Sequence, residues 1–471
     1  MPGGRSNGQW RLPDITVTDP SVMRRAVAAA AIGNITEWYD FGVYGYLTLT
    51  ISKVFFTGLP QAVGLIATFG SFAAAFLVRP FGGLVFGPLG DRIGRTKVLS
   101  ATVILMALGT FCIGVIPGYG TIGVAAPMLL LAARLVQGFS TGGEYGGAMT
   151  FIAEYSADRR RGFFGSWLEF GTITGYVFGA SLVTVLTAVL SSGQLLSWGW
   201  RIPFLVALPL GLVGLFLRLR LEETPAFAKL LGESEKREAQ AHGLSEIRDV
   251  FVKHWRAVLV CSGIVIVWNV TNYMLTAYIP TYLTATLPAA GYKGTGATTA
   301  QVFQIVVLLL LLVVITFIGR LNDRVGRRPV LFVGSGALIV LSVPSVLLMR
   351  VDRPWATFLG LLVMGLMLVC FSSTAPSTLP ALFRTGMRYG GLAISFNIAV
   401  SLFGGTTSTV MQALVKATGD LNWPGYYLIA AGVVGAVATW FVREPKGRSL
   451  PGSPPAVADE QEAHELVGAS R

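Results

Sequence analysis

Apolar residues recur along this chain in runs of about twenty, the length that crosses a bilayer's hydrocarbon core at about 1.5 Å per residue. The runs predict spans over 26–50, 62–86, 98–117, 123–150, 163–190, 201–219, 257–283, 300–318, 330–349, 355–380, 391–415 and 425–442. These twelve segments predict an all-α membrane protein. The first continues past the length of a signal-peptide core and holds Asn34, Glu37 and Asp40, so it reads as a retained helix.

Composition agrees: 53% of the 471 residues are hydrophobic and 13% charged, about half the charged fraction of a soluble domain. A net charge of +12 invites a nucleic-acid partner, but the placement of the basic residues decides otherwise. With the N-terminus in the cytoplasm, the connections on that side, span edges included, hold 28 of the 36 Lys and Arg, those on the other side six, and the remaining two are Arg79 and Arg134, inside spans. That asymmetry predicts both termini in the cytoplasm of a cell that carries the chain in its inner membrane, with lipid and no nucleic acid around it. Cys112, Cys261 and Cys370 fall singly in apolar spans, and His242, His254 and His464 in polar segments, so neither a disulfide framework nor a metal site is expected.

One loop occurs twice. Gly87, Asp91, Arg92, Gly94 and Arg95 recur, each offset by 232, as Gly319, Asp323, Arg324, Gly326 and Arg327. Each copy joins the second and third span of its half. The chain therefore divides into an N-terminal tail (1–25), a six-helix bundle (26–219), a polar linker (220–255), a second six-helix bundle (256–443) and a short tail (444–471) expected to be disordered. The loop's glycines permit a tight turn, while Asp and Arg can pair with helix ends and with each other in one conformation only, which suits a gate.

An ionisable group at the bilayer centre costs roughly 2.5–3.5 kcal/mol, so each one calls for a partner or a function. Glu37, Asp40, Arg79, Arg134, Glu144 and Glu169 all belong to the first half, and proton coupling is expected there. Counted from the span edges, Glu37, Asp40 and Arg134 meet near mid-depth, with Arg134 the cation for both carboxylates. Arg79, Glu144 and Glu169 fall nearer the cytoplasm as a second cluster. The other half offers neutral groups, among them Asn269, Asn272, Gln301, Gln304 and Asn397.

Glycines spaced by four, Gly138, Gly142 and Gly146 and then Gly171, Gly175 and Gly179, allow close helix contact in spans four and five, either as static packing or as a sliding surface. Aromatic residues gather beside the charges, including Trp38, Tyr44, Tyr145, Trp268 and Tyr273. Aromatic faces hold a quaternary ammonium and arginine holds a carboxylate, so the composition permits a betaine. Candidate solute contacts are Asn34, Trp38, Tyr44, Arg79 and Gln137 from the first half and Trp268, Asn269, Asn272, Tyr273 and Asn397 from the second.

The duplicated G-x-x-x-D-R-x-G-R loop resembles the signature of the major facilitator superfamily. The stretches GNITEWYDF (33–41), RPFGG (79–83), QGFSTGGEY (137–145), WRIPF (200–204) and EETPAF (222–227) resemble its metabolite/proton symporters. FIAEYSADR (151–159), WNVTNYML (268–275) and STLPALF (377–383) narrow the likeness to the proline/glycine betaine proton symporters. That resemblance implies uptake of a small zwitterion such as glycine betaine, proline or ectoine by alternating access, driven by a proton gradient and without a cofactor. Relatives carrying dicarboxylates, 2-oxoacids or shikimate-like acids keep the same loops, and a non-transporting sensor is the reading from another class. An enzyme is not expected, since no Walker A sequence, metal-ligand cluster or nucleophile elbow occurs. In two places the chain departs from the pattern: the tail lacks the long coiled coil of some members, and Arg384 stands where proline is frequent.

Overall fold

The computed structural model describes residues 10–18, 20–93, 95–142, 144–219, 254–293 and 296–469. In the first half the helices are α1 (Pro20–Phe55), α2 (Gln61–Ile93), α3 (Arg95–Val115), α4 (Ala125–Thr141), α5 (Glu144–Tyr155), α6 (Arg161–Val189) and α7 (Arg201–Leu219). The second half has α8 (Trp255–Tyr273), α9 (Ala297–Val325), α10 (Arg327–Leu348), α11 (Pro354–Ser372), α12 (Thr385–Ala399), α13 (Thr407–Thr418) and α14 (Trp423–Phe441). Among the described residues eight helical segments are long and apolar enough to cross a membrane, and nine if a pair bent by 42° near residue 200 is one span. Their outward faces expose side chains such as Val313, Phe317, Val340 and Trp440, as lipid-facing surfaces do. The linker expected over 220–255 lies almost entirely outside the described residues.

Helices pack chiefly within their own half. In the first, α1 lies along α6, α2 along α4 and α3 along α7; in the second, α10 lies against α11 and α14, and α8 against α14. The two halves meet where α6 runs beside α9 and where α2 crosses the α12–α13 segment. Glycine sets the closest approaches inside the first half. A Cβ on Gly138 would stand 1.8 Å from the Ala75 carbonyl oxygen, and one on Gly142 2.0 Å from that of Arg79, so α4 presses its backbone on α2. Gly171, Gly175 and Gly179 stand in the same relation to Ala31, Ile35 and Tyr39, pressing α6 on α1. Five of the six glycines therefore join helices of one bundle, and Gly146 faces the other half, at Ala393.

Beyond α8 the helix widens into π turns at Met274–Tyr278 and Tyr282–Thr286. Pro280 and Pro288 explain both. Each proline has no N–H to give and crowds the carbonyl four residues back, Thr276 and Thr284, and the extra residue per turn relieves that clash. The displaced Thr276 carbonyl comes against α1 at Gly45, where a Cβ would lie 3.1 Å from it.

The tail, expected to be disordered, is ordered instead. Ala456–Val457 (β2) pairs in parallel with Thr16–Val17 (β1), and Glu460–Ala469 forms the last helix, α15, over a small cluster of Ile15, Val457 and Ala463. Its order comes from partners elsewhere in the chain. The Asp158 amide donates to the Ala456 carbonyl (2.8 Å), and Asp158 Oδ2 accepts from the Ala456 amide (3.2 Å). Arg161 donates to the Arg448 carbonyl at 3.2 Å and Arg388 to that of Pro451 at 3.0 Å. Burial pushes the Asp158 carboxyl above its ordinary range, against the opposing pull of Arg161. Both termini thus lie at one end of the molecule, bound to each other and to both halves.

Candidate functional site

Asn34, the adjacent Glu37 and Trp38, then Phe41 and Tyr44 recur at helical steps of three and four, so α1 presents them on one side, with Asp40 beside them. Both α1 carboxylates are buried in ion pairs, and the pairs are separate. Arg79 Nη2 donates to Glu37 Oε1 at 3.0 Å, and Arg134 Nη1 to Asp40 Oδ2 at 3.1 Å. The expectation that Arg134 serves both acids, with Arg79 in a cytoplasmic cluster, is therefore corrected. Helix α2 extends well past its apolar run, to Ile93, so Arg79 sits near its middle, level with Glu37.

The Asp40 pair has its own enclosure. Gln137 Nε2 donates to Asp40 Oδ2 (3.0 Å) and to Thr110 Oγ1 (2.6 Å), Arg134 Nη1 donates to Gln137 Oε1 (2.8 Å), and the Tyr44 ring lies 3.5 Å from the Arg134 guanidinium carbon. Gln137 and Tyr44, expected to touch solute, belong to this network; the Tyr44 hydroxyl bonds Ser71 at 2.5 Å. Glu169 is held differently, by hydroxyls: it accepts from Tyr145 and, at 2.9 Å, from Thr172. Among the described residues its hydrogen-bond partners are neutral, and burying a carboxylate on neutral donors is costly.

Between these groups and the second half stands a set of rings. Trp38 has its centroid 5.6 Å from Tyr176, 5.9 Å from Tyr145 and 6.3 Å from Tyr273. Tyr145 in turn lies 5.9 Å from Trp268 and 5.1 Å from Phe396, so the set straddles the seam. Asn34 serves this arrangement as a positioning residue: it accepts from Trp38 Nε1 (2.9 Å) and donates to the Leu168 carbonyl and Thr172. Trp268 is anchored on Ser372, and Asn269 bonds its own helix at Val265. Asn272 reaches the Tyr176 hydroxyl across the seam (3.3 Å), and Asn397 reaches the Gly142 carbonyl (2.5 Å). Tyr176, Phe396, Phe72 and Phe76 complete the aromatic set and are absent from the sequence-based candidates. A signal existed for Tyr176, which follows Glu169 and Thr172 at three- and four-residue steps on α6.

At the termini end Asp323 crosses the seam. Its two oxygens accept from the Gly162 and Phe163 amides at the start of α6, at 2.7 and 2.8 Å, and from Arg327 at 3.3 Å. Arg388 bonds Glu154 at 2.5 Å, again between halves. Gly326 takes a φ of 102°, which favours glycine, and lets Arg327 start α10, whose first amides donate to the Glu444 carboxylate at 3.0 and 2.8 Å. Arg324 is exposed, its carbonyl accepting from Lys446. In the first loop copy, Gly87 lies within α2, while Gly94 and the side chains of Asp91, Arg92 and Arg95 lie outside the described residues, as does the side chain of Glu144.

With this geometry, comparison with known proteins is direct. Residues 26–454 match the model of the sugar (and other) transporter family, and the chain belongs to that family. It is a transporter of the major facilitator fold, not an enzyme. Over 462 residues it is 45% identical to the proline/betaine transporter of Salmonella typhimurium, covering 97% of this chain and 91% of that one. The glycine betaine/proline/ectoine/pipecolic acid transporter OusA of Dickeya dadantii is 45% identical over 460 residues, with 97% and 90% covered. Among solved structures, the proton:xylose symporter XylE superposes with a TM-score of 0.72 at 18% identity, over 92% of this chain and 98% of that one.

Proposed function

We propose that the chain is a proton-coupled importer of small zwitterionic compatible solutes, such as glycine betaine, proline or ectoine. The aromatic set astride the seam, beside two buried carboxylate–guanidinium pairs, carries this reading: rings suit an alkylated ammonium, arginine suits a carboxylate, and the halves close on both. The substrates in the names of the relatives support it. Twelve spans are the count this reading takes, α1, α3 and the α4–α5 pair joining the nine apolar segments, and the basic-residue asymmetry supports cytoplasmic termini and a carrier of the inner membrane.

Proton coupling is assigned to Asp40, Arg134 and Glu169, with Glu144 kept by its sequence position. A proton on Asp40 removes the charge that holds Arg134, and the Glu169 carboxyl takes up or passes on a proton between hydroxyl partners. Asp323, Arg327, Arg388 and Glu154 form the gate at the termini end, to which the first loop copy contributes by its repeat relation. Vesicles of purified protein made alkaline inside should concentrate labelled glycine betaine and proline. If they concentrate only 2-oxoglutarate, the solute class is wrong; if nothing accumulates, symport is.

A further inference from the structure

The ring set astride the seam is filled by one of its own members. The Tyr145 ring centroid lies 5.9 Å from that of Trp38, 5.9 Å from that of Trp268 and 5.1 Å from that of Phe396. An aromatic face holds a cation within about 6 Å of its centroid. Tyr145 therefore occupies a point within that reach of three rings at once, one from the first half and two from the second, where an alkylated ammonium would be held. Glu169 keeps the phenol there. The Tyr145 hydroxyl donates to Glu169 Oε1, which also accepts from Thr172 at 2.9 Å, and the Thr172 hydroxyl neighbours that of Tyr145. Trp38 is fixed by other means: its indole N–H goes to Asn34, whose amide reaches the Leu168 carbonyl at 2.9 Å, a backbone group that does not titrate. Tyr145 follows the first residue of α5, where α4 has ended at Thr141, and precedes Gly146 and Gly147. Element ends beside glycine absorb a hinge motion most easily. The other charged and titratable groups near Tyr145 and Glu169 are Glu37 with its partner Arg79, Tyr176 on α6 and Tyr273 from the second half. Tyrosine hydroxyls keep their protons at neutral pH, so the carboxylate bonded to the plugging ring is the group whose charge can change its hold.

We propose that Tyr145 is a plug in the solute site, latched by ionised Glu169 and released when Glu169 takes a proton. The proton passes from water to the Glu169 carboxylate and removes its charge. A hydrogen bond to an ionised acceptor is roughly twice as strong as one to a neutral acceptor, so the phenol loses about half of its hold. The ring then swings about the start of α5, and the solute ammonium takes its place among Trp38, Trp268 and Phe396. An order of binding follows, proton first and solute second. Solute that arrives without a proton finds the site full, and deprotonation of an empty site draws the ring back. The inference rests on the proposed proton-coupled import of zwitterions and assigns, within it, the step by which the proton admits the solute.

The test measures glycine betaine binding to the full-length protein in lipid nanodiscs by calorimetry, across a range of pH from mildly acidic to alkaline. Two buffers of different ionisation enthalpy count the protons that accompany binding. Wild type should bind more tightly as the pH falls, by up to about tenfold per unit, and at the alkaline end should take up about one proton per betaine bound. Tyr145→Phe keeps the ring and removes the latch. It should bind betaine at alkaline pH about tenfold or more tightly than wild type, with a flattened pH dependence and no proton uptake. Glu169→Gln fixes the neutral form and should flatten the dependence in the same way. A tyrosine that served packing alone would, on substitution, lower affinity equally at every pH and leave the slope intact. The proposal is overturned if wild type binds betaine without taking up a proton, a result that needs no variant, or if either variant folds and keeps the wild-type slope. A wild type that binds no betaine at any pH sinks the zwitterion reading itself.

Discussion

Replacing Asp323 by Asn changes little in volume and much in electrostatics. The carboxylate accepts two amides at the first turn of α6, at 2.7 and 2.8 Å, where the helix dipole is positive, and it does so from the opposite half of the molecule. Hydrogen bonds to a charged group are worth about 1.5–3 kcal/mol each, and a helix N-terminus adds about 0.3–1 kcal/mol for a negative charge. Asn keeps one acceptor oxygen and loses the charge, so closure of the termini end should weaken by about 2 kcal/mol, close to a thirtyfold shift toward the open form. Arg160 and Arg324 are both exposed on either side of that contact. Spin labels placed there report the distance between the halves by pulsed electron resonance. The variant should gain a long-distance population that wild type lacks. An unchanged distance distribution in folded Asp323→Asn protein would refute the claim that this contact holds the end shut.

Other expectations follow from the packing and the ion pairs. Asp40→Asn should lose gradient-driven accumulation at least tenfold while still exchanging labelled for unlabelled solute, and retained accumulation would remove Asp40 from the coupling set. Gly138→Ala should cost about 3 kcal/mol or more, because the new Cβ would lie 1.8 Å from the Ala75 carbonyl oxygen and backbone cannot yield cheaply; thermal unfolding of the detergent-solubilised protein checks it, and a melting temperature within a degree of wild type would contradict it. Removal of residues 451–471 deprives Arg388 of the Pro451 carbonyl and β1 of its partner, and should raise the open population in the same spin-label experiment.

The helical runs, the repeated loop and the buried charges of α1 could be read from sequence because each is a local signal: a length, a spacing or a polar residue in an apolar run. The pairing of those charges could not. A depth counted from the end of an apolar run mislocates Arg79, since α2 continues through the polar loop motif to Ile93. Nor does a sequence say that Gly138 and Gly142 meet α2 while Gly171 and Gly175 meet α1, for glycine spacing encodes closeness but not the neighbour. Tyr176 and Phe396 are aromatic residues in apolar spans, where packing is the ordinary explanation. The tail looked unstructured because its short Pro-, Gly- and Ala-rich stretch has no core of its own. Its order is borrowed from Asp158, Arg161 and Arg388, between 63 and 298 residues away.

That borrowed order separates two properties of the carrier. The segment from Glu444 to Val457 grips the first half at Asp158 and Arg161 and the second at Arg327 and Arg388, yet its contacts leave the ring set and the α1 carboxylates untouched. Substitutions there can set how often the protein swings while leaving untouched which molecule it accepts, so turnover and selectivity are open to independent adjustment, by evolution or at the bench.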